Sequence, residues 1–165
     1  MWGCHVCSQH FFQARKPPQH VTLTLCCRTQ SAYEKALYIL FDSLSRVETH
    51  LEEQQHIGPF YFGSTLTETD IRLYVTIVRF DTVYHQHFKT NLKDIRSGFP
   101  HLHRWLRHLY WKIPAFKDTT NFDHIKNHYM KSHSFINPFG ITAMGPLPDI
   151  LPLEREVAAV EAVRG

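Results

Sequence analysis

A chain of 165 residues, 43% hydrophobic and 20% charged, is long enough to close one globular core. Its formal net charge of +3 is dispersed, with Lys and Arg interleaved among Asp and Glu, which argues against a nucleic-acid or anionic-membrane partner. No run approaches the roughly 20 apolar residues of a membrane span, and the start lacks the apolar stretch of a secretory signal, so the expected location is the cytoplasm.

Residues 1–29 read as an atypical, disordered leader. All four cysteines (Cys4, Cys7, Cys26 and Cys27) lie there. Cys4 and Cys7 have the spacing of a zinc or redox pair, with His10 following. A zinc ribbon needs a second spaced pair, and adjacent Cys26 and Cys27 are poorly disposed to share one tetrahedral ion. A redox motif needs a strand before it, and only three residues precede Cys4. Reduced thiols in an irregular leader are the expectation.

Periodicity begins after Thr29. Tyr33, Ala36, Leu37, Leu40, Phe41, Leu44, Val47 and Leu51 recur at steps of three and four, predicting an amphipathic helix that ends near Gln55, ahead of Gly58-Pro59. Thr67 and Asp70 have capping-box spacing, with Leu66 and Ile71 placed for a hydrophobic staple. The helix they start carries Leu73, Tyr74, Val75, Ile77, Val78, Phe80, Val83 and Tyr84 and is apolar nearly all round, as a central helix must be. Within it, Arg79 and Asp81 do not share a face, so each is expected to find its own partners in neighbouring elements.

Pro100 announces a third helix bearing Leu102, Trp105, Leu106, Leu109 and Tyr110, which stops before Pro114. A short fourth helix spans about 121–131. The prolines and glycines of NPFGITAMGPLPDILP then predict an extended segment packed over the bundle. Residues 153–165 form a tail that is weakly helical or disordered. The fold class expected is all-α, a helical bundle with irregular ends.

Histidines cluster around the fourth helix. His124 and His128 share a face and His133 follows, which raises a three-imidazole metal site. No HExxH-type glutamate accompanies them, so no metal is expected, and hydrogen bonds within the bundle are the preferred role for His128 and His133. His85 with His87, and His101 with His103, are spaced wrongly to share a face and read as surface residues.

The segments TETDIRL, RFDTVYHQHFKTN and NFDHIKNHYMKSHSFINPFGI, with GPLPDILP after them, resemble the C-terminal helical domain of the glutathionyl-hydroquinone reductases, the Xi-class glutathione transferases, and look most like their fungal, omega-like branch. The resemblance covers residues 30–152.

It implies a glutathione transferase C-terminal fold whose relatives pair with a thioredoxin-like domain. There a cysteine thiolate of a CPWA motif attacks the sulfur of a glutathionyl-hydroquinone, and a second glutathione resolves the mixed disulfide. Glutathione is then a co-substrate and not a tightly bound cofactor, and the partners are glutathione and quinone or hydroquinone conjugates. This sequence holds no CPWA, so no catalytic residue is assigned here, and the expectation is an incomplete or inactive form. The family's NNGVY tyrosine is also replaced, by HVTLTLCCRTQ. What the resemblance retains is a substrate-facing tyrosine at Tyr129, with Tyr84 a second candidate for the hydroquinone side. Read from residues alone, Tyr129 is a half-buried aromatic of the last helix. The competing reading is a non-catalytic module that binds a helical partner or a second copy of itself.

Overall fold

The structure is a computed structural model that describes residues 29–153. The cysteine-bearing leader and the tail beyond Leu153 lie outside the described residues, and with them the readings given for both. Among the described residues the chain is helical without strands, the one bridge being Phe60 with Gly63. It is the all-α bundle expected.

Helix α1, Gln30–Gln54, starts where the Thr29 hydroxyl accepts from the Ala32 N–H at 3.2 Å. Its apolar stripe buries Leu37, Leu40, Leu44, Val47 and Leu51 against the rest of the bundle. The chain leaves α1 through a tight loop. A Cβ on Gly58 would sit 2.3 Å from the Gly63 carbonyl oxygen, and Gly63 itself has φ of +97°, so both positions require glycine.

Helix α2, Glu68–Arg79, is fixed at its start by the Thr67–Asp70 capping box. Asp70 does more than cap. Fully buried, its carboxylate accepts from the Thr67 N–H and hydroxyl (each 2.9 Å), the Tyr61 N–H (2.7 Å) and the Trp105 indole N–H (3.0 Å). One side chain thereby joins the loop after α1, the start of α2 and the middle of α5 (Pro100–Lys112). A carboxylate is tolerated at such depth because each oxygen is saturated with donors.

The central helix is not uniform, and here the sequence pattern misled. After Arg79 it widens into a five-residue π-helical turn, Phe80–Tyr84, closed by the His85 N–H on the Phe80 carbonyl. The short α3, His85–His87, follows. Phe80 and Val83 are fully buried, while Asp81 turns toward α4, Ile95–Gly98, and accepts from the Ile95 and Arg96 N–H groups at 2.7 and 3.0 Å. Burial pushes the Asp81 carboxyl up, against the pull of those two N–H groups.

Helix α5, Pro100–Lys112, has no cap of its own. Glu48 of α1 supplies one, accepting from the His101 and Leu102 N–H groups at 2.8 Å each. Pro114 does not simply end this run. It begins α6, Pro114–Thr119, and α7 follows at Phe122–Ser132 with Asn121 as its cap. The remaining segment packs on the bundle as an extended strap. Its carbonyls at Leu151 and Pro152 accept from Trp111 (2.9 Å) and Arg107 (2.6 Å), Ile150 is buried, and Asp149 pairs with buried Lys126.

Two histidines expected at the surface are buried. His87 is inside because α3 turns it toward the end of α7, and His103 because it lies on the inner face of α5. Among the described residues no helix is long and apolar enough to cross a membrane.

Candidate functional site

An open cleft of about 720 Å³ lies between α2, α6 and α7. One wall is the stripe Ile71, Tyr74, Val75, Val78 and Arg79, and the other is Asn121, His124, Ile125, His128 and Tyr129. Each stripe follows i, i+3, i+4, i+7, i+8, so each is one continuous helix face. Phe116 and Thr119 of α6, with Thr120 just after it, complete the lining. The volume suits a small aromatic ligand.

Two hydroxyl contacts fix the register of the walls. Tyr74 meets the Thr120 hydroxyl at 2.9 Å, and Tyr84 meets the Tyr129 hydroxyl at 3.2 Å. The Thr120 proton is already donated to the Phe116 carbonyl, so Tyr74 is the donor there. Steps from 74 to 84 are matched by steps from 120 to 129, which means that the two walls run side by side in the same direction. Burial pushes the Tyr74 hydroxyl up to about 12, the Thr120 contact opposing. Burial raises Tyr84 as well, followed by its contact with Tyr129, and keeps it a neutral phenol; either hydroxyl can donate within this pair.

The two candidate tyrosines are therefore brought together, and their positions differ. Tyr129 lines the cleft, edge-on to Tyr84 with ring centroids 5.6 Å apart. Tyr84 is buried behind it and lies outside the cleft lining. Leu66 and Ile71 remain exposed at the rim, where they line the opening. Arg79 is a wall residue, with one guanidinium nitrogen on the Val75 carbonyl of its own helix.

The three histidines whose spacing raised a metal site separate. His124 and His128 face the cleft, whereas His133 turns away to meet His87, Nδ1 to Nε2, at 2.9 Å with the rings stacked. Among the described residues no cluster of three or more His, Cys, Asp or Glu side chains could hold a metal ion. Nor do residues 29–153 contain a cysteine, so the bundle brings no thiol to the cleft. The π-helical turn, which swings Tyr84 behind Tyr129, was missed from sequence. RFDTVY carries no readable signal of it, because a helix apolar nearly all round leaves no reference face from which a one-residue insertion could be detected.

Comparison with known proteins places the fold. Residues 30–108 match the family model "Glutathione S-transferase, C-terminal domain". The chain is 56% identical over 122 residues to glutathione S-transferase omega-like 2 of Schizosaccharomyces pombe, a match that covers 74% of this chain and 38% of that protein. It is 44% identical over 122 residues to the glutathionyl-hydroquinone reductase YqjG of Escherichia coli (74% of this chain, 35% of that protein). The glutathione-bound structure of YqjG superimposes with a TM-score of 0.73 over 84% of this chain and 44% of its own. The glutathione-S-transferase Xi of Phanerochaete chrysosporium aligns at 58% identity and a TM-score of 0.77, over 82% of this chain and 42% of that one. The chain thus spans less than half the length of these relatives.

Proposed function

Since residues 30–108 belong to the glutathione S-transferase C-terminal domain family, we propose that this bundle supplies the aromatic side of a site for glutathione-dependent reduction of glutathionyl-hydroquinones. The observation that carries the reading is the Tyr84–Tyr129 pair at the cleft wall. When Tyr84 donates into the Tyr129 oxygen, the Tyr129 proton is left for an acceptor in the cleft, and a quinone or hydroquinone oxygen is such an acceptor. The apolar stripes of α2 and α7 supply the walls for its ring.

In the reaction, a thiolate attacks the sulfur of the aryl thioether. The aryl carbon–sulfur bond breaks, the carbon takes up a proton to give the hydroquinone, and the mixed disulfide left on the attacking sulfur is reduced by a second glutathione thiolate with release of glutathione disulfide. Tyr129 binds and orients the ring oxygen during this displacement. The bundle itself offers no thiol, so on this reading the 165-residue chain binds the aromatic half without turning it over. The test is glutathione-dependent release of hydroquinone from a glutathionyl-hydroquinone by the purified chain, beside a Cys4→Ser/Cys7→Ser variant. Turnover that vanishes in the variant would assign the nucleophile to residues 4–7 and overturn the non-catalytic reading.

A second reading has its own observation. Phe135, Phe139, Ile141, Met144 and Leu147 are exposed along the segment after α7, from 64% to 87%. Such a row of apolar side chains favours association with a second copy of the chain. Sedimentation equilibrium over a range of concentrations decides it, a constant monomer mass being the result that excludes it.

A further inference from the structure

The cleft is lined by sixteen residues, and none of them is Asp or Glu. The one permanent charge in the lining is the Arg79 guanidinium. Its recorded hydrogen bond goes to a main-chain carbonyl, and among the described residues no carboxylate forms an ion pair with it. Carboxylates on the elements around the cleft are engaged elsewhere or lie outside its lining. Glu68 is paired with Arg72, Asp81 caps α4, and Asp118 and Asp123 lie outside the lining.

The register of the walls locates Arg79 more closely. Tyr74 is level with Thr120 and Tyr84 with Tyr129, so Arg79, midway between the tyrosines, stands opposite the stretch from His124 to His128. Arg79 shares the lining with the apolar side chains of Leu66, Ile71 and Val75, and its guanidinium reaches back to the Val75 carbonyl. The guanidinium is half-buried with its bond to the Val75 carbonyl exposed, so it is open to a ligand, and its planar set of donors is suited to carboxylate or sulfonate oxygens.

We propose that the cleft selects aromatic ligands carrying an anionic ring substituent, with Arg79 pairing the anion and His124 and His128 facing it across the gap. The substrate class narrows accordingly to acidic hydroquinones and quinones. This rests on the reading of the Tyr129 cleft as the hydroquinone side, since one ligand has to reach both Tyr129 and Arg79. Arg79 stands on the α2 wall and Tyr129 on the α7 wall, so a hydroquinone carboxylate that meets both bridges the cleft.

The experiment is calorimetric titration of the full chain with 2,5-dihydroxybenzoate and, separately, with its neutral methyl ester. The acid is expected to bind at least about tenfold more tightly than the ester, the strength of one charge-assisted pair. Arg79→Gln should abolish that preference while leaving ester affinity in place, and Arg79→Lys should restore part of it. Circular dichroism of each variant reports that the bundle is intact. Equal affinities for acid and ester in the unaltered chain, or a preference that survives Arg79→Gln, overturns the proposal. Tyr129→Phe separates this from the parent reading. If it weakens both ligands equally while the acid shows no preference, the hydroquinone side stands and only the charge selection fails. If it changes neither affinity, or if neither ligand binds the unaltered chain, both are lost.

Discussion

The Tyr84 hydroxyl lies 3.2 Å from that of Tyr129, so a residue of the central π-helical turn directly supports one on the wall of the cleft. Tyr84→Phe removes this support and leaves the ring in place. The expected outcome is a loss of about 1 kcal/mol of stability in thermal unfolding, together with weaker binding of a hydroquinone ligand. Ligand affinity equal to that of the unaltered chain would show that Tyr129 needs no help from behind.

Asp70 is the residue on which three elements converge. Asp70→Ala strands the Tyr61 N–H and the Trp105 indole N–H in the interior, at about 1 to 3 kcal/mol for each buried donor. The expected loss is therefore larger than that of Thr67→Ala, about 1 kcal/mol for one helix cap. Urea unfolding of the two variants side by side checks the order, and equal losses would refute the convergent role.

His87 gives the protein a pH dependence of definite sign. Burial, aided by neighbouring His133, holds its imidazole below the ordinary 6.5. The unfolded chain therefore binds more protons than the folded one in this range. His87's contribution is complete above the unfolded value and is lost as pH falls through 6.5 toward the lowered native one. Burial and the adjacent Lys112 and Arg104 lower His108 in the same direction. The urea midpoint should drop between about pH 7.5 and about pH 5.5, and His87→Gln should flatten part of that slope. An unchanged slope in the variant would remove His87 from the account.

Lys126 and Asp149 form an ion pair that ties the strap to α7, and Lys126 also donates to the Met144 carbonyl at 3.1 Å. Asp149→Ala leaves a buried ammonium without its partner, at a cost of about 3 kcal/mol. The apolar double substitution Lys126→Met/Asp149→Leu should recover most of it. Limited proteolysis within 141–152 reports strap release, and a double variant no better than the single one would argue against pairing as the cause.

The bundle was legible because its helices declare themselves locally. The stripe from Tyr33 to Leu51, the Thr67–Asp70 spacing and Pro100 each fix an element from within a few residues. What depends on distant parts of the chain was not. Nothing in the sequence of α5 says that Glu48, more than fifty residues earlier, caps it. The burial of His87 likewise depends on where α7 ends, and spacing along one helix could not reveal it. For the site, Tyr129 and Tyr84 were identified by resemblance, whereas Arg79 could be placed in the cleft only once α2 and α7 were known to lie side by side.

Helix α7 buries only Lys126 and Met130, yet it carries one entire wall of the cleft. An element held by so little opens at a modest fraction of the global unfolding free energy. A molecule that bridges both walls binds only while α7 is seated, so it must slow amide hydrogen exchange in 122–132 by the factor by which its concentration exceeds its dissociation constant. Occupancy of the cleft can therefore be read from the solvent protection of a single helix, without any chemical turnover.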